Sequence, residues 1–130
     1  MRASFISTKG TYLEAKVLID GVEYFVMDEI TLDDQLSPRV GDEFEIDLHT
    51  ELADESWEEI FSGNPDKRIG LDHIEGWSYR AFGKIVSINP VSIDCGLYIE
   101  DDVVDTNDSR VIGEYVSFTI ERLGAYGNAI

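Results

Sequence analysis

Trp77-Ser78-Tyr79-Arg80-Ala81-Phe82-Gly83-Lys84-Ile85-Val86-Ser87-Ile88, then Asn89-Pro90, then Val91-Ser92-Ile93-Asp94-Cys95-Gly96-Leu97-Tyr98-Ile99, is the stretch that decides the fold class. Two β-prone runs flank an Asn-Pro turn signal. The second sets Val91, Ile93, Cys95, Leu97 and Ile99 against Ser92, Asp94, Gly96, Tyr98 and Glu100, the alternation of a strand with one buried face. Pro90 lacks an N–H and so belongs to the turn. Gly83 interrupts the first run. Trp77, Tyr79 and Ala81 share one face before it, and Ile85, Val86 and Ile88 fall on both faces after it, which predicts a bulge or coil point.

The same grammar runs outward from there. Residues 3–7 are β-prone and read as a short edge strand. Leu13, Ala15, Val17 and Ile19 alternate with polar residues up to Asp20-Gly21, and Val22, Tyr24 and Val26 continue after it. Asp-Gly between two such runs predicts a type I′ hairpin that pairs Ile19 with Val22, Val17 with Tyr24 and Ala15 with Val26. Leu13, Val17, Tyr24 and Val26 are then core residues, and Phe25 and Met27 lie on the opposite face. Residues 31–39 read as a connection. Val40-Gly41-Asp42 leads into a strand with Phe44, Ile46 and Leu48 inward and Glu43, Glu45, Asp47 and His49 outward. Ile112-Gly113-Glu114 leads in the same way into a strand with Val116, Phe118 and Ile120 inward, so two strands are expected to start in equivalent ways.

Residues 51–61 switch to helical period, with Leu52, Ala53, Trp57, Ile60 and Phe61 on one side and Glu51, Asp54, Glu55, Glu58 and Glu59 on the other. Thr50 serves as N-cap and Gly63 as stop, with Pro65 beyond. No Lys or Arg is spaced to pair with these acids, so the acidic side reads as unpaired charge. Residues 100–110 read as an acidic connection, the last strand as ending near Leu123, and residues 125–130 as a frayed tail. The sum is six or seven strands and one short helix without βαβ alternation. The chain is therefore expected to be all-β: one domain over residues 1–130, a small antiparallel, partly open barrel or strongly coiled sheet. The strand Phe82-Gly83-Lys84-Ile85-Val86-Ser87-Ile88 resembles the opening strand of OB-type barrels. The resemblance implies shape alone, because the basic, aromatic groove with which such barrels hold oligonucleotides is missing from the sequence.

Charge narrows the function. The net charge is −17, and residues 41–66 hold ten acidic and no basic side chains, more than half of it. Such a field repels phosphate backbones and anionic membranes. One cysteine permits no intrachain disulfide, and no apolar run is long enough for a signal peptide or a span, so a cytoplasmic protein is expected. Cys95 falls on the inward side of its strand and reads as a small core residue. Asp105-Thr-Asn107-Asp-Ser109 begins like a calcium loop, but Arg110 stands where the turn needs Gly and Val116 where the bidentate Glu belongs. His49 and His73 lie far apart in sequence, so no zinc set is expected and no cofactor. Phosphate loops, dinucleotide fingerprints and nucleophile elbows are missing too.

The expected function is accordingly a non-catalytic acidic domain that engages a basic protein, in the manner of an immunity protein blocking a nuclease toxin. Glu43, Glu45, Asp47, Glu51, Asp54, Glu55, Glu58 and Glu59 form the face, with Trp57 either docking the helix or anchoring the partner. The competing readings are an acidic accessory subunit or ligand-binding barrel, and a carboxylate-dependent hydrolase walled by Trp57, Trp77 and Tyr79.

Overall fold

A computed structural model describes residues 1–31, 39–101 and 103–128. Its strands are β1 (Arg2–Thr8), β2 (Glu14–Ile19), β3 (Val22–Glu29), β4 (Glu43–Leu52), β5 (Gly70–Glu75), β6 (Ser78–Ser87), β7 (Ser92–Asp94), β8 (Tyr98–Ile99) and β9 (Tyr115–Asn128). One helix, α1 (Trp57–Ser62), and one 3₁₀ turn, Ser109–Val111, complete the described elements. The chain is all-β, as its alternation requires. The connection expected at 31–39 lies, over residues 32–38, outside the described residues.

All strands belong to one sheet, in the order β3-β2-β1-β4-β9-β6-β7-β8, with β5 on β6. Every pairing is antiparallel except β3 with β9, which meet in parallel at Met27↔Gly124, Asp28↔Ala125 and Glu29↔Tyr126. That junction curls β1 to β4 back onto β9. β5 to β8 extend the sheet past β9, so the whole is a coiled, partly open sheet and not a closed barrel. The residues that carry the OB resemblance fall in β6, beside the curl and not within it. β1, expected at an edge, is interior, between β2 and β4.

The Asp20-Gly21 hairpin has the expected register: Ile19↔Val22, Val17↔Tyr24 and Ala15↔Val26. Asp20 and Gly21 both have positive φ (50° and 80°), as a type I′ turn demands. Ala15, Val17, Ile19, Tyr24 and Val26 are buried. Leu13 is not. It precedes the strand in a turn, where its N–H donates to Gly10 O (3.0 Å), and its side chain is 52% exposed. The turn is fastened by Asp28, a fully buried carboxylate that accepts from the N–H groups of Ile30 and Thr31 and from the hydroxyls of Thr8 and Thr31. Phe25 lies across the sheet from the core, with the Lys16 ammonium 5.0 Å from its ring centroid, while Met27 is covered where β3 meets β9.

Residues 91–99 depart from the single expected strand. They fold back at Gly96 (φ 86°) into the β7–β8 hairpin, pairing Ile93 with Ile99 and Asp94 with Tyr98. Val91, Ile93, Cys95, Leu97 and Ile99 nevertheless all stay buried, because a turn centred on Gly96 keeps the odd-numbered residues on one face. The bulge expected at Gly83 sits two residues later, between Ile85 and Ser87. Gly83 has a different task. Along one edge of β6, residues up to Phe82 pair with β5 and residues from Lys84 pair with β7, so Gly83 is where the partner changes.

The two glycine lead-ins are equivalent bond for bond. Gly41 N–H donates to Phe5 O (2.8 Å) and Phe5 N–H to Asp42 O (2.9 Å). Gly113 N–H donates to Ile85 O (2.8 Å) and Ile85 N–H to Glu114 O (2.9 Å). Both glycines have φ near 90°, and β1 and β6 are each bulged just beyond the bonded residue, at Phe5/Ser7 and Ile85/Ser87. The tail expected to fray is strand instead: β9 runs to Asn128, with Ala125 fully buried.

Gly83 supplies the test of this architecture. A Cβ there would fall 2.6 Å from both Asp94 O and Cys95 Sγ, and 2.7 Å from Ile93 Cγ2. Gly83→Ala must therefore push the β7–β8 hairpin off β6, at a cost of about 1–3 kcal/mol in urea unfolding. Gly70→Ala, in open space on β5, should stay within about 0.5 kcal/mol of wild type. Equal effects at the two sites would refute the packing of this hairpin.

Candidate functional site

The acidic face is built by β4 and the segment after it. Glu43, Glu45 and Asp47 project from the outer side of β4 at the spacing of about 7 Å that alternate strand residues have, while Phe44 and Ile46 enter the core. β4 then continues through Thr50 to Leu52, where a helix was expected, because these residues complete the ladder with β9 (Thr50↔Leu123, Glu51↔Arg122, Leu52↔Ile120). Thr50 is no helix cap. Its N–H (2.8 Å) and hydroxyl (2.5 Å) both donate to Asp101 Oδ2.

The true N-cap is Ser56, which forms a capping box with Glu59. Glu59 N–H donates to Ser56 Oγ (3.2 Å) and Ser56 N–H to Glu59 Oε2 (3.3 Å). Starting at Trp57, the helix has Glu58 and Glu59 in its first turn, where the dipole favours them and not where it opposes them. Ile60 is the buried contact, and Phe61 is half-buried. Gly63 ends the helix with an ordinary φ of −79°. Its lack of a side chain allows a close approach to β9, since a Cβ would lie 2.9 Å from Ser117 Cβ. Asn64 fixes the exit, donating to Arg68 O (2.9 Å) and Val116 O (3.1 Å) and accepting from Arg68 N–H (2.8 Å).

The expectation of unpaired charge is corrected for two of the five acids in residues 51–61, Glu51 and Glu55, and Glu43 and Glu45 on β4 are paired as well, because cations distant in sequence reach them. Arg2 lies 3.6 Å from Glu43, the Met1 ammonium 3.2 Å from Glu45 and Arg122 2.8 Å from Glu51. Glu55 departs furthest from the expectation. One oxygen accepts from Thr119 N–H (2.5 Å) and the other from Arg80 Nη1 (2.7 Å), which also donates to Thr119 Oγ1 (2.8 Å). Glu55 is a structural clamp joining the pre-helix segment to β6 and β9, not a surface charge. Asp54, Glu58 and Glu59 are exposed and form no ion pair among the described residues. Beside them Trp57 is 51% exposed, and among the described residues its ring neighbour is Phe61 (6.3 Å). Trp57 therefore does not dock the helix.

One cluster escaped the sequence reading. His49 on β4 reaches across β9 to Glu29 on β3 (Nε2···Oε2 2.9 Å), with its ring 4.7 Å from that of Tyr126. The ring lies where a Cβ of Gly124 would be, 2.2 Å from Nε2, so Gly124 is required by this crossing. The pairing of β3 with β9 brings these residues together, since along β3-β2-β1-β4 the two strands that carry them lie three places apart.

The remaining candidates disperse. His73 bonds Gly76 O (2.7 Å) and stacks on Phe25 (5.1 Å), away from His49. Among the described residues no three His, Cys, Asp or Glu side chains are grouped as a metal ion needs. In the calcium-like loop, Asp108 caps the 3₁₀ turn and is held by Arg110, whose hydrogen bonds bring its carboxyl down to about 2. Tyr79 is a core residue, whereas the segment carrying Trp57 packs through Glu55 and Gly63 against Arg80, Ser117 and Thr119 on the opposite face of β6 and β9, so these two do not wall one sugar cleft. Cys95 is 1% exposed, and burial, with Asp94 beside it, pushes its thiol up to about 12. No protein-family model, curated protein or solved structure matches this chain.

Two outcomes follow from these positions. Glu55→Ala strands the Thr119 N–H and Arg80, so urea unfolding should show a loss of about 1.5–3 kcal/mol, while Glu58→Ala should change stability by less than about 0.5 kcal/mol. Cys95 should be inert to a thiol-specific disulfide reagent at pH 8 in the folded protein and react fully in denaturant, since only the thiolate attacks. Rapid reaction under native conditions would contradict its burial.

Proposed function

We propose that this chain is a non-catalytic binding domain for a basic protein, and that its docking patch centres on Trp57. The observation that carries the reading is a half-exposed tryptophan flanked by Asp54, Glu58 and Glu59, three carboxylates without a cation of their own. Tryptophan is the side chain most often found as the anchor of a binding surface, since its large ring gains much from losing water. The surrounding acids steer a basic partner in and favour it over acidic ones. Glu43, Glu45 and Glu51 widen the field but are already paired, and Glu55 supports the patch from below.

The partner class that suits such a surface is a basic nuclease toxin, with the acidic patch competing against phosphate for the toxin's cationic site. An immunity protein of this kind works in the cytoplasm without a cofactor. No helix among the described residues is long and apolar enough to cross a membrane.

The test is to isolate the partner by co-purification from the source cell and measure its kinetics against wild type and two variants. Trp57→Ala should raise the dissociation constant at least about tenfold with the melting temperature unmoved, the loss residing in the dissociation rate. Asp54→Lys combined with Glu58→Lys should slow association and flatten its salt dependence, because screening at a Debye length of about 10 Å acts on steering. Glu55 is left intact in both, so loss of binding is not loss of fold. Unchanged affinity in both variants would leave the acids as a solubility device and overturn the proposal.

A further inference from the structure

A separate feature lies where the edge of β3 not paired with β2 faces β5 and the β7–β8 turn. A cleft of about 390 Å³ opens there, within the range of small-molecule sites. Its lining includes Tyr24, Phe25, His73 and Tyr79, whose rings form an unbroken row: Tyr24 to Tyr79 6.4 Å, Tyr79 to His73 5.3 Å, His73 to Phe25 5.1 Å. Glu23 stands among the lining residues as its carboxylate. Tyr79 is fixed in place. Its hydroxyl accepts from Phe25 N–H (2.7 Å) and donates to Phe25 O (2.9 Å), the two bonds a neighbouring strand would make.

We propose that this cleft binds a small organic cation with an apolar body, an arylalkyl ammonium for example, held between the aromatic row and Glu23. Aromatic faces attract a weakly hydrated cation, and a carboxylate at the same place adds its charge. The protein itself already makes this arrangement once: the Lys16 ammonium sits 5.0 Å from the Phe25 centroid and 4.0 Å from Glu23 Oε2. The charged groups acting on the two tyrosines of the row, Asp20 and Glu14, are acidic and disfavour an anion. Tyr24 is raised by burial and by Asp20, and Tyr79 is pushed up to about 12 by burial foremost, with Tyr24 and Glu14 adding to it. A net charge of −17 also raises the local concentration of cations around the chain. The inference is independent of the docking reading, whose Trp57 lies elsewhere.

The test is an NMR titration of isotope-labelled protein with benzyltrimethylammonium, using benzyl alcohol as the uncharged aromatic control. Wild type should show saturable shifts centred on Gly70, His73 and Gly96, with the alcohol at least about tenfold weaker. Glu23→Gln should weaken binding several-fold, and Lys16→Met, by removing the competing ammonium, should strengthen it. Leu71 lines the cleft, is only half-buried and pairs with Ala81 on the same face of the sheet as His73 and Tyr79, so Leu71→Trp plugs the site. Leu71→Phe is the smaller plug should the indole disturb β5. Both plugs should abolish the shifts. Three results would overturn the proposal: no saturable shift in wild type, equal binding of the alcohol, or shifts that survive both plugs and follow the acidic surface instead.

Discussion

The hydrogen bonding of β9 is the constraint on which the other strands depend. A fourteen-residue strand carries two rows of backbone donors and acceptors, and all that are buried must be met. β4 meets one edge from Glu45↔Asn128 to Leu52↔Ile120. The other edge is shared: β6 takes Tyr115 to Ile120, and β3 takes Gly124 to Tyr126 in parallel. In the gap between them Leu123 N–H donates to Trp77 O (2.9 Å) and Ser78 Oγ donates to Glu121 O (2.6 Å). β9 thus joins the curled strands to the extended ones. Without it β1 to β3 and β5 to β8 would be two separate meanders, each too small to cover a core.

The strands at either side of the β4–β9 pair use one local solution twice. A positive-φ glycine leads into β4 and another into β9, and each donates to a strand that bulges one residue later. The bulge increases local twist, and increased twist is what lets β2 fold over β1 and β7 over β6. The two halves then diverge. β2 and β3 are long enough to curl round and reach β9, whereas β7 and β8 are three and two residues and stop short. The difference in hairpin length is what leaves one side of the sheet open, and the aromatic cleft lies where the short hairpin fails to meet β3.

How far the sequence could be read depended on whether local chemistry or a distant partner decided each segment. The Asp20-Gly21 hairpin was legible to the residue, because the turn residues and the alternation point to one register. The β7–β8 fold-back was not, because its turn preserves parity: the inward residues of a straight strand and of this hairpin are the same five. The period alone predicts a helix over residues 51–61 behind a Thr50 cap, since Leu52 and Ala53 sit at helical spacing from Trp57. The ladder to β9 overrides that propensity, and the capping box at Ser56 was present in the sequence as the stronger signal. Residues 124–128, rich in Gly and Ala, have no hydrophobic period to announce a strand. Their small size is what the structure uses, since the His49 ring fills the space over Gly124.

The same division explains which acids could be judged from sequence. An exposed position follows from the period of the element; a partner in space does not. Glu55 shows why this matters. By pattern it belongs with Asp54 and Glu58, yet it lies under them, fixed to Arg80 and to the backbone of β9. Its side chain is 16% exposed, so water screens that pair far less than it screens the surface pairs of Glu43 and Glu45. The clamp and the cap at Ser56 together hold a six-residue helix that could not persist alone in water. They hold it with Ile60 turned into the sheet and Trp57 turned out. A helix whose only task was to cover β6 and β9 would gain by burying its largest apolar side chain. That this one buries Ile60 and leaves Trp57 half-exposed beside Asp54, Glu58 and Glu59 is a cost to the isolated fold, and it is the observation on which the proposed docking patch rests.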